Sequence, residues 1–132
     1  AVLAVFSPPS TVPFGFAFQP APSHCRRRAG RRVVGLYVAN WPKIRTNAWD
    51  ILLKARAVEN MSYAIGVNRI GTDNNQHEYI GHSQAVDFFG NYILEPQETD
   101  SVFIIDLDKE KLLETRKKLA FLDDKDDFKL SN

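Results

Sequence analysis

The chain has 132 residues, 17 of them Lys or Arg against 16 Asp or Glu, and a formal net charge of +1 gives no global pull toward nucleic acid or an acidic partner. At this length it makes one domain at most, able to bury roughly two-thirds of its unfolded surface. A single cysteine, Cys25, rules out an internal disulfide and favours a cytoplasmic setting, and no apolar run approaches the ~20 residues of a membrane helix, so no membrane partner is expected.

Residues 1–32 differ from the rest. The opening AVLAVF lacks the basic flank of a signal peptide. No Asp or Glu occurs before Asp50, and five of the seven prolines are Pro8, Pro9, Pro13, Pro20 and Pro22. Phe14, Phe16 and Phe18 alternate as a short strand would, but the flanking prolines confine such a strand to an edge or a loop. The composition lacks a periodic apolar face, so the segment is expected to be a poorly ordered extension. Arg26, Arg27, Arg28, Arg31 and Arg32 crowd its end as a phosphate-binding patch would, yet no nucleic-acid module stands behind them and a nucleic-acid partner is not expected. Cys25 sits among these arginines with no carboxylate nearby to serve as its base, and reads as an incidental thiol rather than a nucleophile.

From Val33 the pattern becomes regular. VVGLYVA is a β-branched and aromatic run of strand length leading into Asn40-Trp41-Pro42. Asn47, with Asp50 three residues on, predicts a helix start resembling a capping box. Ala48, Ile51, Leu52, Ala55 and Val58 come next at spacings of three and four, which predicts the buried face of that helix. Arg56 and Glu59 are placed for an i, i+3 ion pair and read as scaffold. Ser62 to Ile70 then predicts a strand buried on both sides, polar only at its exit, Asn68 and Arg69. Gly71 to Asn75 is a turn cluster.

His77, Glu78 and His82 are residue types that bind metals, but the histidines are five apart in an extended pattern and face opposite sides, so no metal or other cofactor is expected. Gly81 is placed for a close backbone approach, and Ser83 to Leu94, turning at Gly90-Asn91, reads as a hairpin. Ser101 to Leu107 is another apolar strand. Asp108 caps a final helix with Leu112, Leu113, Arg116 and Leu119 on one side. The acidic tail carries Phe121, Leu122 and Phe128, which are available to dock on a neighbour.

The run LYVANWPKIRTNAWDILLKARAVENMSYAIGVNRIG, residues 36–71, together with the later GHSQAVDFFGNYI, resembles the nitrilase (carbon-nitrogen hydrolase) superfamily, and within it the omega-amidase type. The resemblance covers about residues 33–128 and corresponds to the C-terminal half of that fold. It implies an α/β fold, a four-layer αββα sandwich of which this chain holds the C-terminal half, and amide hydrolysis by a Glu-Lys-Cys triad. It also implies that Asn40 and Trp41 line the substrate pocket, Asn40 offering an amide and Trp41 a wall. Without it, the residues read as a turn asparagine and a core tryptophan. Arg45 is a lesser candidate for a substrate carboxylate.

The family's Cys-Tyr-Asp-x-Arg-Phe run would fall near Ala17, and no such run is present. Cys25 lies fifteen residues before Asn40, among neighbours that do not match, so no catalytic residue is assigned. The expectation is a carbon-nitrogen hydrolase fragment of omega-amidase type, recognising short dicarboxylate monoamides and inactive alone. Residues 1–32 would then be an extension or an out-of-frame reading, and residues 33–132 the C-terminal part of the hydrolase domain. The alternative is a non-catalytic interaction domain that pairs with an intact homologue; as a partner of the chain, a further copy of itself is the other expectation.

Overall fold

In a computed structural model, residues 2–6 and 33–123 are described. The centre is a four-stranded sheet built from β2 (Val34–Ala39), β3 (Tyr63–Asn68), β6 (Ser83–Val86) and β7 (Tyr92–Gln97), in the order β2-β3-β6-β7. β2 and β3 run parallel, with Leu36 opposite Ile65 and Ala39 opposite Asn68, and helix α1 (Thr46–Glu59) is the crossover that parallel pairing requires. β6 returns antiparallel to β3, and β7 antiparallel to β6. Pro96 lies in β7, an edge of this sheet, which is where strands tolerate proline.

Every residue of β3 is buried, as its apolar run predicts. Its alternate positions serve two cores. Tyr63, Ile65 and Val67 pack with Ala85, Phe88, Ile105, Leu107 and Leu112. Ala64 packs with Ala57 and Val86, toward α1. A side chain at Gly66 would collide with Leu53 and reach within 2.6 Å of Trp49, so glycine is what lets the helix lie this close to the sheet.

The face toward Ile65 is covered by strand β8 (Val102–Asp106) and helix α2 (Lys109–Lys118). Asp108 caps α2 as expected, accepting from the Lys111 N–H at 2.9 Å. β8 pairs antiparallel with β1 (Val2–Phe6), so five residues of the expected extension are a strand. The alternation-free apolar run VLAVF has the β-branched content to add to an open edge, and it lies ahead of the first proline. β4 (Ile70–Thr72) and β5 (Glu78–Ile80) form a hairpin around the turn cluster that follows Gly71. A short 3-10 turn, Ala120–Leu122, ends the described chain.

Two expectations about α1 are corrected. Asn47 and Asp50 do not form a capping box. A 3-10 turn, Lys43–Arg45, feeds the helix instead, with the Arg45 N–H donating to the Pro42 carbonyl and Thr46 Oγ1 donating to the Lys43 carbonyl. The buried face is Trp49, Leu53 and Ala57, flanked by Ala48 and Leu52, whereas Ile51, Ala55 and Val58 are exposed. In α2 only Leu112 is fully buried, and Leu113 and Leu119 are largely exposed. Cys25, the five arginines, the three alternating phenylalanines and Phe128 lie outside the described residues.

Candidate functional site

The two parallel strands end side by side, and the segments leaving them build one corner. After β2 comes Asn40, half-buried, and Trp41, whose residue is 8 % exposed. Trp41 is held by its backbone and by its ring. Its N–H donates to Asn68 Oδ1 at 2.7 Å, and its carbonyl accepts from Asn68 Nδ2 at 2.9 Å. The indole Nε1 donates to the Arg45 carbonyl at 2.6 Å, and the ring lies 5.7 Å from that of Trp49, tilted by 36°. Arg45 itself is exposed, its guanidinium 5.2 Å from the centre of the Trp41 ring.

Asn68, the last residue of β3, is 2 % exposed. Its second amide hydrogen goes to the Gly81 carbonyl at 2.7 Å, so one carboxamide joins β3, the Trp41 corner and the turn before β6. Two carbonyls and one N–H around it fix which atom is oxygen and which is nitrogen. The Ser83 hydroxyl completes the arrangement, accepting from the Asn68 N–H at 3.1 Å and donating to its carbonyl at 3.2 Å. Gly81 has φ +82° and a Cβ there would stand 2.8 Å from the Gln97 carbonyl, which is the close approach its position predicts.

Beside this corner lies a second cluster that spacing alone did not reveal. His82 adopts φ +60°, unusual for a side-chain-bearing residue. Its Nδ1 is 3.0 Å from Asp50 Oδ2, its Nε2 is 3.1 Å from Glu98 Oε1, and its carbonyl accepts from Trp49 Nε1 at 2.9 Å. Gln84, fully buried, donates to Asp50 Oδ1, and its Oε1 meets no hydrogen-bond donor among the described residues. Asp50, expected in a capping box, caps nothing and finds its partners across the fold. Here it bridges α1 to the turn before β6.

His77, Glu78 and His82 do not converge. His77 bonds Asp73, Glu78 pairs with Lys43 at 2.8 Å, and His82 turns to Asp50 and Glu98. Lys43 and Glu78 shift each other in opposite senses, the side-chain bond raising the lysine and lowering the glutamate, as an exposed pair does. Asp73 is more strongly placed. Burial pushes its carboxyl up, but donations from the His77 N–H, the Tyr79 hydroxyl, the His77 ring and the Asn75 N–H outweigh that and hold it at about 2. Arg69 is buried with its guanidinium 4.7 Å from the Tyr79 ring centre. Arg56 and Glu59 form the predicted ion pair at 2.5 Å.

A sheet carrying a parallel βαβ unit, helices on either side, and a polar corner where the parallel strands end define an α/β protein with a candidate ligand site at its strand ends. The carbon-nitrogen hydrolase family model matches residues 25–117, and the chain belongs to that family. It is 39 % identical over 98 residues to the omega-amidase YafV of Escherichia coli, covering 74 % of this chain and 38 % of that one. It is 34 % identical over 87 residues to a 2-oxoglutaramate amidase of Paenarthrobacter nicotinovorans, covering 66 % and 29 %. The crystal structure of a CN-hydrolase superfamily protein from Xanthomonas campestris, with an arsenic adduct in its active site, superposes with a TM-score of 0.69 at 40 % identity, covering 74 % of this chain and 37 % of that one. The chain thus spans little more than a third of the length of these relatives or less, 38 % of the Escherichia coli protein and 29 % of the Paenarthrobacter nicotinovorans one. Among the described residues, no helix is long and apolar enough to cross a membrane.

Proposed function

We propose that residues 33–132 supply the scaffold and one pocket wall of an omega-amidase-type site for short dicarboxylate monoamides, with Asn40 and Trp41 as the substrate-binding residues. The observation that carries this is the corner itself. A largely buried tryptophan, anchored by three hydrogen bonds, stands next to a half-buried asparagine at the strand ends, where open α/β sheets place their ligands. Relatives named omega-amidase and 2-oxoglutaramate amidase support the substrate class.

Hydrolysis of an amide by the family's chemistry needs a cysteine nucleophile with a positioned base and an oxyanion donor. Neither the Cys-Tyr-Asp run nor its partners is recognisable in this sequence, so the chain alone binds without turning over. The test is ammonia release from 2-oxoglutaramate or succinamate by the purified chain and by Cys25→Ala. No turnover in either is expected. Turnover that disappears in Cys25→Ala would make Cys25 the nucleophile and overturn the proposal of an inactive chain.

A second reading, a non-catalytic domain that pairs with an intact homologue or its own copies, is favoured by Leu36 and Val38, which stand 59 % and 63 % exposed on β2. Co-purification with a tagged full-length amidase checks it, and failure to associate with either partner removes it.

A further inference from the structure

Asn68 is almost fully buried, yet the bonds to both backbone polar groups of Trp41 come from it. Its carboxamide accepts from the Trp41 N–H and donates to the Trp41 carbonyl, which is what a neighbouring strand would do for that residue. The other amide hydrogen fixes the Gly81 carbonyl, and the Ser83 hydroxyl holds the Asn68 backbone from both sides. β2 has already ended at Ala39, so no ladder bond positions Trp41 on that side. We propose that Asn68 is the positioning residue of the site: one buried side chain, making a strand-like pair of bonds to Trp41, sets where the Asn40-Trp41 wall stands relative to the sheet. The inference rests on the reading of that corner as a substrate wall.

The geometry dictates how substitutions behave. In Asn68→Asp an ionised carboxylate still accepts from the Trp41 N–H, but its second oxygen faces the carbonyl oxygens of Trp41 and Gly81. Only a protonated carboxyl restores a donor there. Aspartate is nearly isosteric with asparagine, so size is held constant while the donor is switched by pH. The titratable neighbours are Arg69, next in sequence, and His82, which comes after Gly81 and is bonded to Asp50 and Glu98. The wild type carried through the same pH series accounts for their contribution.

The experiment uses the full chain, wild type and Asn68→Asp, at pH 8 and pH 5. Three quantities are read: the aromatic circular dichroism of the Trp41–Trp49 pair, far-ultraviolet circular dichroism for fold, and succinamate binding by calorimetry. At pH 8 the variant is expected to lose the paired-tryptophan signal and bind at least tenfold more weakly, and at pH 5 to regain most of both relative to wild type. A variant matching wild type at pH 8 in signal and affinity would overturn the proposal, as would loss of the signal with affinity unchanged. If the wild type does not bind succinamate, the substrate reading fails; the positioning role then stands on proton-dependent recovery of the signal and falls without it. Should the variant not fold at either pH, amide exchange in the wild type decides. The Trp41 N–H is expected to exchange as slowly as those of β3, and exchange at the rate of an exposed amide would refute the clamp.

Discussion

At the scale of single residues, this protein spends its buried polar groups on joining segments that no ladder joins. Asn68 satisfies three backbone groups with one side chain, and removing it leaves each of them short by about 1–3 kcal/mol if water cannot enter. Asp73 does the same for the β4–β5 turn, with its side chain only 5 % exposed and four donors directed at it. Because its folded carboxyl titrates near about 2, below the ordinary range near 4, its contribution is present above pH 4 and is lost as pH falls from there toward 2. Denaturant unfolding as a function of pH should therefore show stability declining across that interval, and Asp73→Asn should flatten the decline. An unchanged slope in the variant would assign the acid sensitivity to other carboxylates.

At the scale of elements, the two ways of reading α1 show what a sequence reveals and what it withholds. That a helix crosses between two strands was legible, because Pro42, the polar start and the change of period after Asn60 are local signals. Its buried face was not. Ala48, Trp49, Ile51, Leu52, Leu53, Ala55, Ala57 and Val58 spread apolar groups around most of the helix, so spacing alone admits more than one stripe. Gly66 makes the choice: the gap it leaves on β3 accepts Trp49 and Leu53, and Ala57 lies one turn further on. The capping box failed for a related reason, since Asp50 is taken by His82, 32 residues away in the turn before β6, and by Gln84 in β6 itself. Long-range polar pairing of this kind leaves no periodic trace. Asn40, Trp41 and Asn68 were visible as polar or aromatic residues at strand ends, but not the bonds that tie them into one corner. Gly66→Ala should overpack the α1 interface and destabilise the protein by about 1–3 kcal/mol in thermal or denaturant unfolding. Asp108→Ala, which removes only a cap on α2, should cost about 1 kcal/mol. If the two effects were reversed in size, the packing of α1 on Gly66 would not be the tighter constraint.

At the scale of the whole molecule, the core is continuous across β3 but runs out at β2. Leu36 and Val38 stand opposite Ile65 and Val67 in register, so they share the face whose central residues pack under Ile105 and Leu112. The cover reaches β3 and Val34, and leaves the other two apolar side chains in water. Among the described residues β2 pairs only with β3, so this apolar strip coincides with an unpaired strand edge. Exposed apolar area and an open edge together favour strand-to-strand association, and paired lysines at such positions oppose it by charge. Sedimentation velocity over a concentration series should show self-association of the wild type, reduced at least tenfold in Leu36→Lys/Val38→Lys. The paired-tryptophan signal of the corner should be unchanged, because neither residue contacts Trp41 or Asn68 through any of the bonds that hold them. A wild type that stays monomeric throughout would show the strip to be tolerated in water. Loss of the tryptophan signal in the variant would instead show that the edge of β2 supports the corner from behind.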